Sequence, residues 1–183
     1  MQENFRELVK RAKKGDVQAF AQLYSAIYSD LYRYAYYTLR SQEDAEDAVA
    51  DAVTDCYASI GRLKNEEAFK RWMFTVLSSK CKRIIKRYYK DDLLETDETS
   101  ISADLDEHMD LKLAFAVLDG ESRMIVSLNV LGGYNSDEIA RILKLNRNTV
   151  RTKYSRALEK LKLILTANEP DNSKLEKVGS GNE

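Results

Sequence analysis

The sequence predicts an all-α fold, two small helical bundles joined by an acidic linker, and three observations lead there. Its 183 residues contain one proline and seven glycines, too few for the turns that a strand-rich chain of this length needs. Apolar residues recur at three- and four-residue spacing, the period of a helix face, and 44% hydrophobic residues suffice to bury a core. Charge is sorted into blocks, and the longest acidic block falls where the apolar period lapses.

The elements follow in order. Residues 3 to 14 form a short leading helix. Asp16 is placed to cap a second helix, in which Phe20, Leu23, Tyr24, Ile27, Leu31, Ala35 and Leu39 repeat to about Arg40. A third begins at Ser41, where Ser-x-x-Asp has the spacing of a capping box, and carries Ala45, Ala48, Val49, Ala52, Val53, Tyr57 and Ile60 to a stop near Gly61. A fourth runs from about Glu66 to Tyr89 with Phe69, Trp72, Met73, Val76, Leu77, Ile84 and Tyr88 inward. These make a first domain over residues 1–90. Residues 91–106 read as an acidic linker and 107–168 as a second domain. Within that domain lie short helices over 107–118 and 121–131, then a helix capped by Asn135, the turn Lys144 to Asn146, and a last helix from Arg147 to about Leu165. Residues 169–183, polar and containing Pro170, read as a flexible tail.

The net charge of −1 conceals this sorting. Residues 43–55 hold six acids and no base, 80–90 six bases and no acid, 91–110 nine acids and no base, and 141–162 eight bases against Glu159. Two basic and two acidic segments imply more than one partner. No apolar run reaches the roughly 20 residues that cross a bilayer, and MQENFRELVKRAKKGD lacks the apolar stretch of a signal peptide, so a cytoplasmic protein with no membrane insertion is expected. Cys56 and Cys81 make no disulfide framework, His108 is the only histidine, and neither a metal site nor a cofactor is expected. No nucleophile is paired with a base and no glycine loop suits a phosphate, so the chain does not read as an enzyme and no catalytic residue is assigned.

Three constellations remain. Residues 135–161 form helix, short turn, helix, the arrangement in which a first helix braces a second in the major groove. Ile139, Ala140, Leu143, Leu145, Val150 and Ala157 supply the inner face. Arg147, Asn148, Thr149, Arg151, Thr152, Lys153, Ser155 and Arg156 are the candidate DNA contacts: Arg and Asn suit guanine and adenine edges, and Lys, Ser and Thr suit phosphates. The fourth helix interleaves Phe69, Trp72 and Phe74 with Lys70 and Arg71, and Tyr88 and Tyr89 with Arg87 and Lys90, a pattern that fits unpaired bases or, equally, a core with a solvated basic flank. Asp44, Asp47, Asp51 and Asp55, spaced three, four and four apart, share one face of the third helix. They extend too far along it to enclose one ion, and read as a solvated face or the docking site of a basic protein.

Taken in order, these parts resemble a known family. LYRYAYYTLRSQEDAEDAVADAVTDCYASIGRLKNEEAFKRWMFTVLSSKCKRIIKRYYK resembles region 2 of bacterial sigma factors, and LDGESRMIVSLNVLGGYNSDEIARILKLNRNTVRTKYSRALEKLK resembles region 4. With only a linker between them the chain is similar to the extracytoplasmic-function (ECF) subfamily, over about residues 5–165. The resemblance implies a sigma factor that binds core RNA polymerase and directs it to specific promoters by binding alone. Asp44, Asp47, Asp51 and Asp55 would dock on the β′ clamp helices, and the second domain on the β flap. Lys70, Arg71, Trp72, Lys80, Arg83, Lys86 and Arg87 would serve the −10 element, the helix from Arg147 would read the −35 element, and the linker would run toward the active centre. An anti-sigma factor is a further partner of such proteins. The sequence departs from the usual pattern at Ser78-Ser79 and Lys82-Arg83, where Arg-Asn and Ile-Asp are common, and at Lys144, where the turn usually has glycine.

Two other readings stand beside this one. A stand-alone helix-turn-helix regulator leaves the acidic stripe and aromatic helix without a role. A sigma-like interaction protein that sequesters an anti-sigma factor has no need of a basic reading helix.

Overall fold

A computed structural model describes residues 2–90 and 114–167; the expected linker, His108 and the tail fall outside them. The described residues are helical, with no strand. The helices are α1 (Gln2–Lys13), α2 (Val17–Leu39), α3 (Gln42–Ser59), α4 (Phe69–Lys90), α5 (Gly120–Val130), α6 (Ser136–Leu143) and α7 (Arg147–Ala167). Short 3-10 turns at Ile60–Arg62 and Glu66–Ala68 bridge α3 to α4, and residues 114–116 are helical as well.

Local chemistry sets the boundaries. Asp16 accepts from the Ala19 amide at 3.0 Å and starts α2. Ser41 accepts from the Asp44 amide at 3.2 Å and starts α3, but the expected reciprocal bond is missing because the Asp44 carboxylate accepts instead from the Tyr88 hydroxyl of α4. Asn135 makes the full capping box: its Oδ1 accepts from Asp137 and Glu138, and its own amide donates to Glu138 Oε2 at 3.0 Å. With few glycines available, α2 and α6 end in the left-handed region on Arg40 (φ 62°) and Lys144 (φ 56°). Lys144 thus adopts the backbone that a glycine supplies without strain, and its amide closes α6 on the Ala140 carbonyl.

Helix α4 is at the centre. Phe69, Met73, Phe74, Leu77 and Cys81 are fully buried, more of its circumference than one apolar stripe, because α2 and α3 pack on one side and α5 and α6 on another. Phe74, read from the sequence as part of an aromatic and basic surface, lies in the core between Tyr34 of α2 (5.5 Å between ring centroids) and Tyr134 of the α5–α6 loop (5.4 Å). Ser78 is buried beneath α2 and hydrogen-bonds the Tyr34 hydroxyl at 2.8 Å, so a small polar residue fits where a long cation has no room. The two sets of helices therefore share one core rather than standing apart. Arg123 of α5 donates to the Thr38 carbonyl at 2.9 Å, Tyr37 packs on Phe115, and Gly120 lies so near Ile85 that a Cβ there would come within 2.8 Å of Cγ2.

Two outcomes follow. Lys144→Gly removes left-handed strain at a position whose amide bond to Ala140 needs no side chain, and should raise unfolding stability by about 0.5–1 kcal/mol in a denaturant titration. Both thiols are buried; burial pushes Cys56 up to about 12 and raises Cys81 too. Neither should react with a disulfide reagent at pH 8 until denaturant is added, after which both should.

Candidate nucleic-acid interface

The helix-turn-helix is built as its sequence requires. Ile139, Leu143, Val150 and Ala157 are buried between α5, α6 and α7, and Leu145 of the turn is half-buried against them. Asn146 caps α7 by accepting from the Asn148 amide at 2.8 Å. Tyr154 anchors the middle of the helix, donating to Asn129 Oδ1, while the Asn129 amide donates to the Tyr134 carbonyl at 2.9 Å. One chain of hydrogen bonds thus joins α7, α5 and the loop that enters the core.

With that face inward, at about 100° per residue Asn148, Arg151, Thr152 and Ser155 fall within an arc of about 100° on the opposite side of α7, and Arg156 lies about 40° further. All five are exposed, as is Thr149. Arg151 and Arg156 make no ion pair among the described residues. Arg147 is also exposed but pairs with Asp137 of α6 at 2.8 Å. Lys153 lies on the flank, bound to Glu121 of α5 at 2.7 Å with Asp119 at 3.8 Å; the Glu121 hydrogen bond raises its pKa. The sequence reading missed these carboxylates, because nothing local relates residue 121 to residue 153.

The other two constellations meet. Asp44, Asp51 and Asp55 of α3 lie along the edge that faces α4, where they pair with its cations. Asp51 sits 3.7 Å from Lys80 and 3.5 Å from Arg83; Asp55 is 2.5 Å from Lys80, and Asp44 is 3.7 Å from Arg87. Tyr88 donates to Asp44, and burial, aided by that carboxylate, pushes its hydroxyl up to about 12, which keeps it a donor. Asp47 alone of the stripe is exposed without an ion pair among the described residues. Asp44, Asp47, Asp51, Lys80, Arg83 and Arg87 line a cleft of about 480 Å³. At the other end of α4, Lys70 pairs with Asp30 at 2.7 Å, Arg71 is half-buried near Tyr134, and Trp72 is half-buried beside Phe69. Lys86 is exposed, without an ion pair among the described residues, on the rim of an apolar groove formed with Ile85, Tyr89, Met124 and Leu143. Among the described residues no helix is long and apolar enough to cross a membrane.

The comparisons agree with this arrangement. Residues 23–90 match the family Sigma-70 region 2, and residues 108–161 match Sigma-70, region 4. The ECF RNA polymerase sigma factor SigM of Mycobacterium tuberculosis is 26% identical over 163 residues, covering 87% of this chain and 83% of SigM. RNA polymerase sigma factor SigV of Bacillus subtilis is 28% identical over 139 residues, covering 73% of this chain and 83% of SigV. The fold is similar to that of CnrH, solved in complex with the cytosolic domain of CnrY, with TM-score 0.67, 22% identity, and coverage of 90% of this chain and 99% of CnrH. It is also similar to that of the sigma factor RpoE of Bartonella quintana, solved with the anti-sigma factor NepR, with TM-score 0.68, 21% identity, and coverage of 83% and 99%. With regions 2 and 4 in this order on one helical chain, the protein belongs to the sigma-70 family of RNA polymerase sigma factors, in its ECF branch.

Proposed function

We propose that this sigma factor, working in the cytoplasm beside core RNA polymerase, divides promoter recognition between α4 and α7 and keeps the free edge of α3 for the polymerase. On this reading residues 1–90 serve the polymerase and the −10 element and residues 107–168 the −35 element. No covalent step is involved: contacts made to melted promoter DNA offset part of the cost of unstacking it.

The observation that carries the reading is the outward face of α7. Asn148, Arg151, Thr152 and Ser155 stand together, exposed, near the end of a helix whose opposite side is locked to α5 and α6. A guanidinium can bond two acceptors of guanine at once and a carboxamide can do the same on adenine, while hydroxyls and the helix N-terminus suit phosphates. Arg147, held by Asp137 in the free chain, can exchange that exposed carboxylate for a base or phosphate. Arg156 reaches the flanking backbone. Lys153 we assign to holding α7 on α5, since Glu121 already occupies its ammonium group.

On α4 the reading rests on the exposed Arg83, Lys86 and Arg87 and on Lys80, half-buried against Asp55, with Lys70, Arg71 and Trp72 at the N-terminal end. For polymerase docking it rests on Asp47, the exposed carboxylate between Asp44 and Asp51. A sigma-like decoy gains nothing from a cation-bearing face on α7, and a stand-alone regulator gains nothing from the charged edge of α3.

The α7 assignment is tested by titrating promoter DNA with the holoenzyme at several salt concentrations. Arg151→Ala should cost about 1–3 kcal/mol on the preferred −35 sequence and little on a scrambled one. Lys153→Ala should lower thermal stability and leave the salt slope unchanged. Equal losses on both sequences for Arg151→Ala would reduce it to a backbone grip. The α3 assignment is tested with Asp47→Lys, which should shift folding stability by no more than about 0.5 kcal/mol yet weaken association with core polymerase by about tenfold in a pull-down titration; undiminished association would remove it.

A further inference from the structure

Helix α4 carries a second strip, turned away from α3, that the reading above leaves without a role. Lys82, Ile85, Lys86 and Tyr89 recur at three- and four-residue spacing and so stand on one face of the helix. That face forms one wall of the apolar groove, of about 250 Å³, whose floor is Met124 of α5 and Leu143 of α6, both buried. We infer that this groove is a binding site for a small amphiphilic anion, a carboxylate carried on a short alkyl chain or a single ring, with the apolar body against Ile85, Tyr89, Met124 and Leu143 and the carboxylate between Lys82 and Lys86. The assignment goes beyond promoter recognition and does not rest on it.

The sign of the ligand follows from which charges are already answered. On the α5 wall, Asp119 accepts from the Ser122 amide at 2.9 Å and from its hydroxyl at 2.8 Å, and Glu121 is 2.7 Å from Lys153. On the α4 wall, Lys82 and Lys86 are exposed and make no ion pair among the described residues. The groove thus holds acids that its own neighbours satisfy and two ammonium groups that they do not. Those two lie one helical turn apart, close enough to share one carboxylate through charge-assisted hydrogen bonds. Size and body follow from the walls. Pockets for drug-sized ligands run from about 300 to 1,000 Å³, and crevices between packed helices are among their usual places, so this groove suits a smaller molecule. Tyr89 is 54% exposed, and an apolar body laid against it removes that surface from water. Because one wall belongs to α4 and the other to α5 and α6, a ligand held there touches both sets of helices and favours the packed arrangement.

The test titrates octanoate into the full chain by calorimetry, with octylamine and 1-octanol as cationic and neutral bodies of the same length. Octanoate should bind at least about tenfold more tightly than octylamine. Lys82→Gln with Lys86→Gln should weaken octanoate by about tenfold and change octanol by less than about twofold. Lys14→Gln with Lys64→Gln is the matched control: it removes the same charge at exposed positions outside the groove, and should change octanoate binding by less than about twofold. Tyr89→Ala should weaken octanoate and octanol alike, by about threefold or more. Each substituted side chain is exposed, so the fold should persist, which circular dichroism checks. Lys82→Gln alone should give an intermediate loss and serves if the double variant fails to fold. Equal losses in the groove pair and the control pair would reduce the binding to diffuse charge attraction and overturn the site, as would octylamine binding as tightly as octanoate. Octanoate that binds only after Asp91→Asn with Asp92→Asn would make the chain's own acidic residues the occupant, and the assignment to a small anion would fall.

Discussion

The structure depends on the burial of α4 from two directions. Phe69, Met73, Leu77 and Cys81 meet α2 and α3, and Phe74 reaches Tyr34 on one side and Tyr134 on another. A helix covered in this way has little circumference left for water. Lys80, Arg83 and Arg87 share the strip that borders α3, while Lys86 lies toward α5 and α6 and Lys70 toward α2. The proximity of the α4 bases to the α3 acids is thus a product of core packing, since exposed ion pairs are too weak to bring helices together. The apolar core places them and electrostatics follows.

The same division of labour holds at α7. Val150 and Ala157 commit one side of the helix to the core, Tyr154 locks its rotation through Asn129, and Lys153 completes the fit against Glu121. The outward group of Asn148, Arg151, Thr152 and Ser155 is consequently held on a rigid element, which is what reading base edges requires. The turn before α7 tolerates a lysine at a left-handed position because the backbone bonds, from Lys144 and Leu145 to Ala140, define it without help from the side chain.

Local signals in the sequence were sufficient for the helices. Asp16, Ser41, Asn135 and Asn146 act within three residues of themselves, and the apolar periods of α2, α3, α4 and α6 reach the core as their spacing implies, except at Tyr57 of α3, which is exposed and lays only a ring edge against Phe20. Long-range pairing was not legible. The spacing of Asp44, Asp51 and Asp55 put them on one helical face but did not reveal that Lys80, Arg83 and Arg87 answer them, and the carboxylate of Asp44, three residues after Ser41, left the capping role for a tyrosine 44 residues away. Phe74 and Ser78 were obscured for a related reason: a one-stripe helix pattern has no place for a second buried side, which only the packing of α5 and α6 creates. Lys153 looked like its neighbours on α7 because its partner, Glu121, belongs to another helix.

The insertion of Tyr134 against Phe74, with Gly120 set against Ile85, bears on how such chains can be recombined. A helix-turn-helix half moved onto a different first half would expose Tyr134 and Met124, strand the Arg123 guanidinium away from the Thr38 carbonyl, and meet whatever replaced Ile85 with no tolerance at residue 120. The helix-turn-helix is therefore not a detachable cassette in its packing: a chimera that changes α7 has to keep the loop and the α5 N-terminus that join it to α4, and the substitutions this packing leaves free are at the outward positions of α7.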